Sequence, residues 1–77
     1  MTLTELKEKL IAVGVKKSAY SLTGGLPSEE YCISQTPLGW EVYYSERGSK
    51  SGLKTFNSEE EACDYFYADI IRDKTVF

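Results

Sequence analysis

The segment from Gly39 to Phe66 constrains the fold of this chain more than any other. It reads GWEVYYSERGSKSGLKTFNSEEEACDYF. Residues Trp40 to Arg47 alternate between apolar and polar side chains with the period of a β-strand. The glycine-flanked stretch Gly48 to Gly52 is typical of a hairpin loop, and Leu53 to Phe56 has the composition of a returning strand. The segment therefore predicts a β-hairpin that leads directly into a helix.

The alternation in this strand also predicts which side chains face the core. Trp40, Val42 and Tyr44 lie on one face and are the larger apolar set, so we expect them to pack inward. The opposite face carries Glu41, Tyr43, Ser45 and Arg47.

The final helix has a strong start signal. Ser58 and Glu61 have the spacing of a capping box, in which each residue satisfies a backbone N–H of the other. Glu59 and Glu60 lie in the first turn, where the helix dipole favours negative charge. We expect this helix to end near Arg72 to Lys74.

The remainder of the chain predicts one more helix and up to two more strands. Thr2 to Val13 has helical apolar spacing, a capping box from Thr2 and a glycine stop. Ser18 to Leu22 and Glu30 to Thr36 alternate like strands, with a Gly/Pro loop between them. The predicted fold is therefore α+β, a single domain over residues 1–77. It contains an antiparallel meander of three to four strands, flanked by an N-terminal and a C-terminal helix. We expect both helices on one sheet face and the other face partly open to solvent.

Composition restricts the classes of function. The chain has 77 residues, 42% of them hydrophobic and 13% aromatic, which is enough for one small core. A net charge of −3 argues against direct binding of nucleic acid, which requires a basic surface. No apolar run reaches the length that spans a membrane, so we expect a cytoplasmic protein without membrane contact.

Residues with catalytic or metal-binding potential are sparse. Cys32 and Cys63 are the only cysteines and the chain has no histidine, so we expect neither a zinc site nor a bound cofactor. Two buried thiols are favoured, although the sequence leaves their pairing open. No base lies beside a nucleophile, and the neighbouring glutamates are explained by helix capping. We therefore expect no catalytic residues and no enzyme. A pocket holding two carboxylates of strongly raised pKa would revive that alternative.

The charge distribution indicates a binding surface. Between residues 59 and 73 there are six acidic side chains and one basic one, Arg72. This field suits electrostatic steering towards a basic partner, although a solvated helix face explains it about equally well. Tyr20, Tyr43 and Tyr67 are the aromatic residues least clearly assigned to the core. Such side chains suit a protein interface when they are exposed.

Two motifs in the segment resemble a known family. The run GWEVYYSERG, followed after a short loop by LKTFNSEEEA, is similar to small immunity proteins of bacterial polymorphic toxin systems, including contact-dependent growth inhibition. Many of these carry a W-x-V-(Y/F)-(Y/F)-x-E-R-G hairpin followed by F-x-S-E-x-E-A and a terminal helix. The likeness covers roughly residues 31 to 71.

The resemblance implies a protein that binds a cognate toxin domain and blocks its active site or substrate entry. Toxin nucleases are usually basic, so a basic nuclease is the expected partner, with an RNase such as the EndoU-like type favoured. The residues then expected to contact the toxin are Glu59, Glu60, Asp64, Tyr43, Tyr67 and Glu41. The Glu46–Arg47 pair of the motif is better explained as a structural ion pair or a turn anchor than as a toxin contact. The alternative is an acidic adaptor or regulatory domain of a phage or mobile element with a different protein partner. The oligomeric state is not indicated.

Overall fold

A computed structural model describes all 77 residues and gives a chain order of helix, four strands and helix. The helices are α1 (Leu3–Val13) and α2 (Glu59–Ile70). The strands are β1 (Tyr20–Ser21), β2 (Glu30–Thr36), β3 (Gly39–Glu46) and β4 (Ser49–Phe56). Short 3-10 turns occupy Lys17–Ala19 and Lys74–Val76. The predicted α+β class, with helices near both ends, is confirmed. Neither helix combines the length and apolar character that crossing a membrane demands.

Both predicted helix starts are present, although only one has the full capping box. The Thr2 hydroxyl accepts a bond from the Glu5 N–H, and the Glu5 carboxylate accepts one from the Thr2 N–H at 2.8 Å. At α2, the Ser58 hydroxyl accepts from the Glu61 N–H at 3.2 Å. The Glu61 carboxylate, however, accepts from the Ser58 hydroxyl rather than from its backbone N–H. Ser58 therefore caps α2, but only one of the two predicted side-chain-to-backbone hydrogen bonds forms.

The sheet is mixed rather than purely antiparallel. Its strand order is β1-β2-β3-β4, and β2, β3 and β4 form the predicted antiparallel meander. The short strand β1 pairs in parallel with β2, with Tyr20 opposite Tyr31. This departs from the prediction because residues 22–29 return across the sheet and start β2 in the same direction as β1.

The turn between β3 and β4 lies earlier in the chain than the predicted loop from Gly48 to Gly52. Glu46 pairs with Ser49, so the turn consists of Arg47 and Gly48 with φ of +51° and +76°. Two positive φ values suit a two-residue hairpin turn, whose twist matches that of the strands. The predicted loop from Gly48 to Gly52 is therefore wrong, since β4 already begins at Ser49. Gly52 instead belongs to a bulge opposite the Val42–Tyr44 stretch.

The main core lies between the sheet and the two helices. Val42 is buried as predicted, and Trp40 packs against the core with its surface only partly covered. Tyr44 is also partly covered. The ten buried members of this core are Leu6, Leu10, Val15, Ile33, Val42, Ala62, Cys63, Phe66, Ile70 and Val76.

The opposite face of the sheet is covered over β2 and β3, whereas β4 stays exposed apart from Phe56, so this face is partly open to solvent as predicted. The loop of residues 22–29 crosses it, and Tyr43 on this face is only 3% exposed. The Ser45 hydroxyl donates to the Pro27 carbonyl at 2.6 Å. A Cβ on Gly24 would lie 2.7 Å from the Ser34 hydroxyl, which shows how closely the loop approaches the strands. A Gly/Pro loop thus covers the part of this face that β2 and β3 form.

The two cysteines are separated by the sheet. Cys32 points to the loop-covered face, next to Tyr43 in the strand pairing. Cys63 belongs to the core between the sheet and the helices. Both thiols are free and buried, as the sequence favoured.

Candidate functional site

Two of the predicted acidic contact residues connect α2 to the start of α1. The Glu59 carboxylate accepts a 2.8 Å hydrogen bond from the Leu3 N–H. The Asp64 carboxylate lies 3.2 Å from the amino group of Met1, which raises the pKa of that amine. Backbone N–H groups in the first turn of a helix lack intrahelical partners, so the Glu59 carboxylate satisfies one of them. These two residues have structural partners, although the Asp64 side chain remains 64% exposed.

Glu60 is the predicted acidic residue without such a partner. It is exposed, and its side chain forms no hydrogen bond or ion pair within the protein. Its charge is therefore available to a binding partner without breaking an existing contact.

Two predicted contact residues of β3 lie under other groups. Tyr43 is not exposed as a contact with a partner would require, because the loop of residues 22–29 covers its ring and the Gly25 carbonyl accepts a hydrogen bond from its hydroxyl. Glu41 forms a 2.6 Å ion pair with Lys50, whose amine also lies 4.8 Å from the centre of the Tyr43 ring. Lys50 therefore occupies the space in front of both residues.

Tyr67 lies apart from Glu41 and Tyr43, on the side of α2 that faces α1. It is partly buried against the main core, and the amine of Lys9 lies 5.6 Å from the centre of its ring. The structure thus does not bring the six predicted residues together into one surface.

A groove at the tip of the β2–β3 hairpin was not predicted. Its volume is about 560 Å³, and its lining includes Pro37, Leu38, Trp40, Phe56 and Asn57. Leu38 is 96% exposed, more than any other large hydrophobic side chain of the chain. The sequence contained one signal for this exposed side chain: a large apolar residue stands within the Pro-Leu-Gly turn, where polar residues and glycine are usual.

Close backbone packing shapes this groove. Gly39 has φ of +151°, and a Cβ at this position would overlap the carbonyl oxygen of Phe56. Only glycine therefore lets the start of β3 lie so close to the end of β4. The Phe56 ring in turn contacts the Tyr65 ring of α2, with 5.2 Å between their centres.

The acidic start of α2 adjoins the groove. Asn57 lines the groove and directly precedes the helix cap Ser58. Glu61 lies one helical turn before Tyr65, so the two share a face of α2, and Tyr65 contacts Phe56 of the groove. We name Pro37, Leu38, Trp40, Phe56, Asn57 and Glu61 the hairpin-tip surface. Glu60 lies in the same first turn of α2 as Glu61.

The thiols offer little chemistry near neutral pH. Burial raises the pKa of Cys63 to about 11 and also raises the pKa of Cys32. Because the thiolate is the reactive form, both side chains stay largely unreactive in the folded protein. The hairpin-tip surface, with apolar side chains beside the exposed Glu61 carboxylate, has the composition of a binding surface.

The chain matches no protein-family model, and it has no significant match among curated proteins or solved structures. The resemblance to immunity proteins therefore stays a prediction that depends on the motifs alone.

Proposed function

We propose that this protein is a cytoplasmic immunity protein that binds a cognate bacterial toxin domain through its hairpin-tip surface. The observation that carries the proposal is the position of Leu38, 96% exposed on the hairpin tip, beside the acidic first turn of α2. An apolar centre with charged residues at its edge is the usual anatomy of a protein–protein interface.

Leu38 supplies the apolar centre. A leucine that moves from water into a packed interface contributes about 1.5–3 kcal/mol. Trp40 and Phe56 extend the same groove with partly covered aromatic rings. Such aromatic side chains are enriched among the residues that dominate binding energy.

The acidic residues supply selectivity for a basic partner. Glu60 is exposed without a partner, and the Glu61 carboxylate accepts only from the Ser58 hydroxyl. A negative surface accelerates encounter with a basic protein and disfavours acidic ones. A basic toxin nuclease, with an RNase favoured, fits this requirement because it must itself attract nucleic acid.

The motif resemblance supports the same surface. Trp40 belongs to the W-x-V-Y-Y-x-E-R-G motif, and Phe56 and Glu61 belong to F-x-S-E-x-E-A. These three residues line or adjoin the groove. A partner seated on the hairpin tip would then neutralise the toxin by covering its active site or the entry of its substrate.

The test is co-expression with the toxin domain encoded by the neighbouring gene, followed by co-purification and an assay of cell protection. We expect a stable complex and protected cells. Leu38→Asp should weaken the complex by about 30-fold or more, the loss typical of a central interface residue.

Leu26→Asp is the matched control, because Leu26 is also exposed, at 55%, but lies on the loop that covers the other sheet face. This variant should bind normally. A wild-type protein that neither binds nor protects would overturn the proposal. Equal loss of binding in both leucine variants would show that the hairpin tip is not the binding surface.

A further inference from the structure

A second cavity lies at the other end of the β2–β3 pair, away from the hairpin tip. Its volume is about 200 Å³, and the rings of Tyr31 and Tyr44 form part of its wall. The rings meet edge to face, with 4.9 Å between their centres and 73° between their planes. Tyr44 lies five residues along β3 from Gly39, a distance of roughly 17 Å in a strand. This cavity is therefore separate from the hairpin-tip surface.

One carboxylate of the cavity is held in a fixed position. Asp73 accepts a 2.9 Å hydrogen bond from the Tyr31 hydroxyl on one oxygen. Its other oxygen accepts from the N–H and the hydroxyl of Thr75 at 2.9 and 2.6 Å. These bonds lower the pKa of Asp73, so the group is ionised at neutral pH.

A second carboxylate of the lining is unpaired. Glu29 is exposed, and its side chain forms no hydrogen bond or ion pair within the protein. Its backbone has φ of +55°, a left-handed conformation that glycine adopts more readily. A glutamate thus occupies a position with an unfavourable backbone conformation, and its carboxylate lies beside the cavity.

The other charged group of the lining is Lys16, which forms no ion pair with either carboxylate. Two carboxylates against one amine leave the cavity with net negative charge. Burial raises the pKa of the Tyr44 phenol, and the nearby charges of Glu29 and Glu46 raise it further. The field around the two rings therefore favours a cation.

We propose that this cavity, the Tyr31–Tyr44 cavity, binds the guanidinium group of an arginine side chain. The faces of aromatic rings attract cations, and a planar guanidinium can stack on a ring while it donates to carboxylates at its edge. Asp73 is a fixed acceptor and Glu29 is a free one. An anion would be repelled by both, and a purely apolar group would leave Glu29 without a partner.

The source of the arginine rests on the proposed function, which supplies a basic protein partner. A toxin seated on the hairpin tip has a second anchor if one of its arginine side chains reaches this cavity. Two contact points at opposite ends of the β2–β3 pair would fix the orientation of the partner as well as its position.

The experiment does not need the toxin, so its failure is distinguishable from failure of the proposed function. The protein, labelled for NMR, is titrated with Nα-acetyl-arginine amide, and the neutral isostere Nα-acetyl-citrulline amide is the control ligand. We expect saturable shifts at Tyr31, Tyr44, Glu29 and Asp73 with the arginine compound. The citrulline compound should bind at least about tenfold more weakly, because it lacks the charge.

Two variants locate the binding. Glu29→Gly relieves the backbone strain while it removes the carboxylate, so it should fold normally and weaken arginine binding by about fivefold or more. Glu8→Gly removes an exposed carboxylate on α1 and should leave that binding unchanged. Shifts that do not saturate, equal binding of citrulline, or equal effects of the two variants would each overturn the proposal.

Discussion

The hydroxyl of Tyr43 donates a 2.6 Å hydrogen bond to the carbonyl oxygen of Gly25, which joins β3 to the loop that crosses the sheet. The bond is partly buried, and it lies on the face that was expected to be partly open to solvent. This one contact explains why Tyr43 belongs to the fold rather than to a binding surface. It also determines the first prediction.

We expect Tyr43→Phe to destabilise the protein by about 0.5–1.5 kcal/mol. The ring still fills its place, but the variant loses a partly buried hydrogen bond to the Gly25 carbonyl, and the net contribution of such a bond is of this size. For a domain of this length the melting temperature should fall by about 2–12 °C. Thermal unfolding followed by circular dichroism measures the change.

The control for this prediction is Tyr67→Phe. The Tyr67 hydroxyl forms no hydrogen bond within the protein, so its removal should change stability by less than about 0.5 kcal/mol. Equal melting temperatures for the two variants would show that the Tyr43–Gly25 bond contributes nothing.

Stability should fall in alkaline solution. Burial raises the pKa of Tyr43 from 10 to about 12, and burial also raises the pKa of Cys63 from 9 to about 11. A folded-state pKa above the unfolded value contributes stability that is complete below the unfolded pKa and is lost as the pH rises through the folded pKa. The loss should therefore begin near pH 9 and continue to about pH 12.

Urea unfolding at successive pH values tests this expectation. Tyr43→Phe should reduce the slope above pH 10, because phenylalanine cannot ionise. Phenolate absorbance should also show a tyrosine that ionises late in the folded protein. A free energy of unfolding that stays constant between pH 9 and pH 12 would contradict the argument.

Local signals in the sequence predicted the helices and the central strands well. Thr2 and Ser58 start their helices because a capping side chain acts within three residues of itself. The burial of Val42 could also be predicted, because the alternation of apolar and polar side chains along a strand is visible in the local sequence. The positions of Arg47 and Gly48 were missed because glycine at both ends of a stretch does not identify which residues take positive φ.

The candidate site depended on contacts that no local pattern contains. Glu59 was predicted to face a partner, but it accepts a hydrogen bond from Leu3, fifty-six positions away. Tyr43 is buried because the loop of residues 22–29 covers it, and the sequence of that loop contains no pattern that predicts its position. Leu38 was the missed residue with a readable signal, since an apolar side chain in a tight turn has little chance of burial.

The Glu59–Leu3 contact gives a third prediction. Glu59→Ala should destabilise the protein by about 1–2 kcal/mol, because the variant loses a hydrogen bond to a charged acceptor and a negative charge at a helix start. Glu60→Ala is the control, since it also removes a negative charge from the helix start but no hydrogen bond, and it should destabilise the protein by only about 0.5 kcal/mol. Urea unfolding measures both variants. Equal effects would show that the α1–α2 contact is unimportant.

The last prediction concerns the rate of association with the proposed toxin. Glu60→Lys reverses an exposed charge in the acidic first turn of α2, which adjoins the hairpin-tip surface, without breaking a hydrogen bond or ion pair, so the protein should stay folded with a loss of only about 1 kcal/mol to the helix dipole. We expect association at low ionic strength to slow by about threefold to tenfold, with a weaker dependence on salt, because steering by opposite charges is screened over about 10 Å. Glu8→Lys makes the same change of charge on α1, away from this surface, and should slow association less. Stopped-flow measurements at several salt concentrations compare the two variants. Identical rates would show that net charge, rather than the acidic start of α2, determines how the partner is attracted.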